Sequence, residues 1–251
     1  MNIYPVQSKG SRLKIVEESE MYKITLLKTG HINCADSVIY KNGSADTTTL
    51  IGCHAFLLEK QDRYFLIDTG IENIDIVNKT KSSVSDWERF DDEFSISKNL
   101  DRLGIDCRKI EKVFITHAHY DHISGIVHFK NADIYMTKKE YEELYSADNK
   151  LKEYLDGVKK FLKDKNVITF ENELQVEDIT LKLCGGHTDG SMNVFVDNYL
   201  FTGDNVFVHD NLKKGIPTGY TGDRKTTDKL FEDYLKFDGK IITSHDFLEV
   251  I

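Results

Sequence analysis

Thr116-His117-Ala118-His119-Tyr120-Asp121-His122 is the stretch that decides how the rest of this chain is read. It follows Val113-Phe114-Ile115, an apolar β-branched run of the kind that forms a buried strand. Three imidazoles and a carboxylate then fall within six residues. Both groups are ligands for zinc, iron or manganese. In an extended turn His117 and His119 project to the same side, because alternate residues share a face. Asp121 and His122 lie past the bend and can face a second ion. With nine His in 251 residues, this order should arise by chance in about one such chain in a thousand, which makes it specific for so short a motif.

The length and the 40% hydrophobic content suit one sizeable domain spanning 1–251. A formal net charge of −9 disfavours nucleic acid and anionic membrane as partners, since both require a basic surface. No apolar run approaches the length of a membrane span, and residues 1–20 lack the apolar core of a secretory signal. Cys34, Cys53, Cys107 and Cys184 form no Cys-x-x-Cys pair, so free thiols in a cytoplasmic protein are expected. The expected partner is a small-molecule substrate. The oligomeric state stays open, a homodimer among the options.

Working outward, residues 1–20 read as a polar lead-in and Tyr22 to Leu27 as a strand ended by Thr29-Gly30. Residues 41–49 read as a loop. Ala55–Leu58 and Tyr64–Ile67, flanking a polar segment, have the signature of a hairpin that ends in Asp68-Thr69-Gly70. Residues 71–95, with Trp87, read as a lid or a solvated connection. Helices are expected over Ile96 to Leu103, from Ser124, from a Thr137/Glu140 capping box to about Ser146, over Leu151 to Leu162, and from Thr227 or Asp228 to Phe237. Strands are expected at 134–136, 167–170, 179–183, 193–196, 199–202 and 241–243, with Asp197-Asn198 as a tight turn. Strands outnumber helices, and helices fall between groups of strands. That pattern suits two packed sheets with helices outside.

A two-ion site needs more donors, and three strand ends offer them. Leu183 leads into Cys184-Gly185-Gly186-His187, Phe201-Thr202 into Gly203-Asp204, and Ile242-Thr243 into Ser244-His245. In each, an apolar strand is followed by a small residue and then a metal-capable side chain. His31, His54, His128 and His209 lack this setting and read as structural or surface residues.

These motifs together, over about Tyr22 to His245, resemble the metallo-β-lactamase-fold hydrolase superfamily. Within it, the hairpin ending in Asp-Thr-Gly and the Gly186-His187-Thr188 run look most like the N-acyl homoserine lactonase-like branch. His119 stands where the flavo-diiron branch has glutamate. The resemblance implies an α/β fold, a four-layer αβ/βα sandwich of two mixed sheets with helices on the outer faces. It implies one metal on His117, His119 and His187, a second on Asp121, His122 and His245, and Asp204 bridging both. Asp68 would orient ligands from behind. Two positions differ from the lactonases: Asp189-Gly190 replaces Pro-Gly, and Phe207 stands where some have a catalytic tyrosine. Tyr220 is the candidate substitute.

The expected activity is therefore that of a dinuclear metal-dependent hydrolase. Two divalent ions, zinc by default with iron or manganese also suited, would lower the pKa of a water bridging them. Asp121 would be catalytic, relaying a proton to the leaving group. A lactone is the leading substrate. The alternatives are a glyoxalase-like thioester and, in another reaction class, the oxygen chemistry of a persulfide dioxygenase-like protein with a single iron.

Overall fold

In the computed structural model, the structure describes residues 21–81, 88–146 and 155–246. The lead-in over residues 1–20, Trp87 and the first turn expected at 151–154 lie outside them.

Among the described residues, seven strands form the first sheet: β1 (Lys23–Ala35), β2 (Thr48–Lys60), β3 (Arg63–Ile67), β4 (Glu88–Glu93), β5 (Ile110–Phe114), β6 (Asp133–Thr137) and β7 (Val167–Phe170), in the order β4-β1-β2-β3-β5-β6-β7. The second sheet holds β8 (Glu173–Val176), β9 (Ile179–Leu183), β10 (Met192–Val196), β11 (Tyr199–Phe201) and β12 (Lys240–Ile242), in the order β12-β11-β10-β9-β8. Both sheets are mixed. The run β3-β5-β6-β7 is parallel, as is β11-β12, and the other pairs are antiparallel.

The side-chain period of two sorts the strands into layers. On β2 and β3, Phe56, Leu58, Phe65 and Ile67 face the second sheet, where they meet Val194, Val196 and Phe201. Phe56 and Phe201 pack edge-on with ring centroids 5.1 Å apart. The intervening Leu57 and Leu66 point the other way, into a core closed by helices. These strands are buried on both faces, so their sequences read as continuous apolar runs rather than alternations.

The helices are α1 (Asp36–Ile39), α2 (Ile74–Lys81), α3 (Ile96–Arg102), α4 (Tyr120–Ile123), α5 (Lys138–Tyr145), α6 (Asp156–Leu162), α7 (His209–Lys214) and α8 (Arg224–Tyr234). Ile96, Leu100, Leu144, Val158 and Leu162 from α3, α5 and α6 cover the first sheet. Phe231 and Tyr234 of α8 cover Leu200 on the outer face of the second. The expected sandwich of two mixed sheets between helices is the observed fold.

Several boundaries differ from the sequence reading. Thr29-Gly30 does not end β1. It forms a bulge, marked by a register shift between Lys28 and Gly30. Thr29 turns inward there, donating to the Cys53 carbonyl at 3.0 Å and accepting the Ile71 N–H at 3.1 Å. Residues 71–95, read as a lid or a solvated connection, contain α2 and the edge strand β4, paired with β1. Expected helix at Ser124 is a 3-10 turn over Ser124–His128. The last helix starts earlier, at Arg224, because Asp223 caps it by accepting from the backbone N–H groups of Lys225 and Thr226. β8, with only Leu174 and Val176 alternating over four residues, is too short to stand out, and the polar α7 gives no apolar period, so both escape the sequence reading.

Candidate metal centre

The first sheet presents its parallel strand ends, and the second presents β9, β11 and β12, at one edge of the sandwich. Each strand end releases one donor-bearing segment there. β5 leads to His117, His119, Asp121 and His122; β9 to His187; β11 to Asp204; β12 to His245. The structure brings all seven together. Ligand atoms of His117, His119, His187 and Asp204 form one group, and those of Asp121, His122 and His245 a second, each within 4.8 Å.

In the first group, His119 Nδ1 lies 3.1 Å from His117 Nε2 and 2.9 Å from His187 Nε2. Asp204 Oδ2 lies 3.6 Å from His117 Nε2 and 3.4 Å from His187 Nε2. In the second, Asp121 Oδ2 is 3.6 Å from His122 Nε2 and 3.8 Å from His245 Nε2. Asp204 Oδ1, the other oxygen of the same carboxylate, is 3.1 Å from both of those nitrogens.

Outer partners aim the rings. His122 Nδ1 meets Asp68 Oδ2 at 2.8 Å, and His245 Nδ1 meets the Gly52 carbonyl at 2.6 Å. With Nδ1–H donating backward, a neutral ring carries its Nε2 lone pair into the site; burial opposes charging either ring, but the Asp204 carboxylate outweighs it and raises both. Asp68 also accepts the Thr116 N–H on Oδ1 and the Thr116 hydroxyl on Oδ2, both at 2.8 Å. It therefore holds the start of the motif and its last histidine at once. This is the orienting place expected for it.

The donor set fits divalent metal. Ligands at about 2.0–2.1 Å around a tetrahedral ion sit about 3.3–3.5 Å from one another, within the range seen here. Two inward atoms, His122 Nε2 and Asp204 Oδ1, face each other at 3.1 Å, buried and without a well-formed hydrogen bond among the described residues, an arrangement that a cation between them would relieve. Burial, and then the neighbouring His122, pushes His117 well below the usual histidine range, and burial likewise lowers His187. Both are thereby kept neutral, the form that binds metal. Burial opposes ionisation of Asp204, but the surrounding imidazoles, His122 first, outweigh it and hold its carboxyl well below the usual range.

The four other histidines stand outside both groups. His54 is a buried core residue bonded through Nε2 to the Asp246 carbonyl, and burial pushes it down to about 4. His31 packs edge-on against Phe94. His128 pairs with Glu72 at 3.1 Å. His209 opens α7.

Phe207 lays its ring flat against His245, centroids 5.0 Å apart at 24°. Tyr220 stands beside His187, with ring centroids 5.5 Å apart, and is 45% exposed. The sequence reading missed Asn205, whose Oδ1 accepts the His187 N–H at 3.0 Å. It also misread Glu140. Thr137 does cap the Glu140 N–H, but the Glu140 carboxylate goes to Ala118 and Thr188.

Comparison with known proteins agrees with this architecture. The family model described as the metallo-beta-lactamase superfamily matches residues 48–245. A probable metallo-hydrolase of Methanocaldococcus jannaschii is 31% identical over 163 residues, covering 65% of this chain and 70% of the relative. A crystal structure of a mutant B. thuringiensis AiiA with N-decanoyl-L-homoserine at its active site superposes with TM-score 0.76, at 20% identity, covering 90% of this chain and 94% of the other. AidC, a dizinc quorum-quenching lactonase, superposes with TM-score 0.69 at 16% identity, covering 92% of each chain.

Proposed function

The chain belongs to the metallo-beta-lactamase superfamily, and from that premise we propose that it is a dinuclear hydrolase of small ester-like substrates, a lactone first. One observation carries the two-ion reading: the two oxygens of Asp204 face different groups of donors, Oδ2 toward His117 and His187, Oδ1 toward His122 and His245. A carboxylate so placed suits a bridge between neighbouring cations. His117, His119 and His187 would hold one ion, and Asp121, His122 and His245 the other. When bound, zinc or a similar ion lowers the pKa of water and polarises a carbonyl.

The chain's own groups then have distinct tasks. Asp121 lies at the second group and is buried at 7% exposure. Its carboxylate is placed to accept a proton and return it to the leaving alkoxide. Phe207 covers His245 with hydrocarbon, closing that side to water. Tyr220, on the open side by His187, is the phenol an incoming acyl group meets. Lactones hold the leading place because solved lactonases share the fold and because the exposed Tyr220 ring stands beside His187. The complete second group argues against a single-iron oxygenase. A thioester remains the alternative within hydrolysis.

A panel of acyl homoserine lactones, a glutathione thioester and a phosphodiester, assayed with zinc, iron and manganese in turn, tests the proposal. Fastest turnover of a lactone supports it. Preferential thioester cleavage would transfer the assignment, and oxygen consumption with one iron per chain would end it.

A further inference from the structure

Glu140 is a carboxylate only 3% exposed that belongs to neither group of donors. It comes from the first turn of α5. Its Oε1 accepts the Ala118 N–H at 2.7 Å, and its Oε2 accepts the Thr188 hydroxyl at 2.6 Å. Ala118 lies between His117 and His119, and Thr188 follows His187. One side chain therefore ties together the two segments that supply all three nitrogens of the first group.

The rest of the contact is built around that tie. The Thr137 hydroxyl donates to the Gly190 carbonyl at 2.6 Å, drawing the loop after His187 onto the start of α5. A Cβ at Gly190 would fall 2.3 Å from the Glu140 nitrogen and 2.5 Å from its Oε2, so only glycine admits this approach. The nearby acids Glu143 and Asp189 add repulsion to the cost of burial. Holding a carboxylate there is unfavourable in itself. Its two acceptor oxygens nevertheless match two donors that arrive from different strands.

We infer that Glu140 is a positioning residue: it sets the spacing of His117 and His119 against His187, and through that spacing the cation affinity of the first group. The affinity clause rests on the metal reading above; the spacing clause does not.

The test uses the full chain with Glu140→Ala and Glu140→Gln. Cobalt(II) affinity is measured on folded, metal-stripped protein against a chromophoric chelator, alongside the visible cobalt spectrum. Glu140→Ala is expected to weaken one of two binding steps by about 10- to 100-fold and to alter the spectrum. Glu140→Gln is expected to recover most of the affinity. Its Oε1 can still accept from Ala118, and the Thr188 hydroxyl can accept from the new amide while donating to Ser191 Oγ, 2.8 Å away. A merely structural role would lower the melting temperature of the stripped protein and leave affinity and spectrum unchanged; that result overturns the inference. Should Glu140→Ala not fold, Thr188→Val removes the Oε2 tie, together with the Ser191 contact, and leaves the Oε1 tie to Ala118; unchanged affinity there overturns it equally. If the wild-type chain takes up no cobalt, the metal reading falls, and crystal structures judge Glu140 alone. A His119–His187 separation that opens beyond 2.9 Å in Glu140→Ala or Thr188→Val upholds the spacing clause, and an unchanged one overturns it.

Discussion

His119 Nδ1 and His187 Nε2 stand 2.9 Å apart although 68 positions separate them in the chain. Two ring nitrogens at that distance need a proton or a cation between them. The fold supplies the closeness through two different sheets: β5 delivers His119 and β9 delivers His187. What holds them there yields the predictions that follow.

Asp68 accepts three hydrogen bonds, two from Thr116 and one from His122. Asp68→Ala removes the partner of His122 Nδ1 and frees the ring to turn. Metal affinity and hydrolytic rate should each fall about 10- to 100-fold, measured by chelator competition and by initial rates. Retention of both would show that His122 is aimed by something else.

Gly186 has φ +90, and a Cβ there would lie 2.3 Å from Asn205 Oδ1. That oxygen is the acceptor for the His187 N–H. Gly186→Ala should therefore cost about 1–3 kcal/mol from backbone strain alone and also displace His187. Denaturant unfolding reads the first effect and cobalt binding the second. A stable variant with native affinity would refute the tie between Asn205 and His187.

Phe201 fills the space between the sheets and is 1% exposed. Phe201→Ala should destabilise by about 3–5 kcal/mol, read from urea unfolding. A loss below about 1 kcal/mol would mean that the two sheets do not share this core.

Burial pushes the Cys184 thiol up to about 12. Only the thiolate is nucleophilic, so at pH 8 about one thiol in ten thousand is reactive. Alkylation of Cys184 in folded protein should be slow and should quicken about tenfold per pH unit between pH 7 and 9, followed by mass spectrometry of the labelled peptide. Labelling at pH 8 as fast as in the denatured chain would contradict this.

Much of this arrangement is legible in the residues. His117 through His122 announces itself by composition, and His187, Asp204 and His245 share a local grammar of apolar strand, small residue and donor. The hairpin over residues 55–67 and the β10–β11 pair around Asp197-Asn198 follow from apolar runs of the right length. Other features are hidden for definable reasons. β4, with the sequence Glu-Arg-Phe-Asp-Asp-Glu, is an edge strand, and edges carry charge rather than an apolar period. Thr29-Gly30 reads as a stop because a bulge and a turn use the same residues. Glu140 satisfies a capping pattern so well that nothing local signals its longer reach to Ala118 and Thr188. Such a role depends on which segments the fold brings near, and spacing along the chain does not carry it.

The proposed hydrolysis requires two neighbouring cations at this edge of the sandwich with Asp204 between them. Elemental analysis of protein purified with added zinc, paired with anomalous diffraction at the metal edge, tests it most directly. Two ions per chain are expected, one among His117, His119 and His187 and one among Asp121, His122 and His245. Asp204→Ala should lose metal, while the control His209→Ala keeps both ions. No metal in the wild-type protein, a single ion per chain, or full occupancy in Asp204→Ala would contradict it.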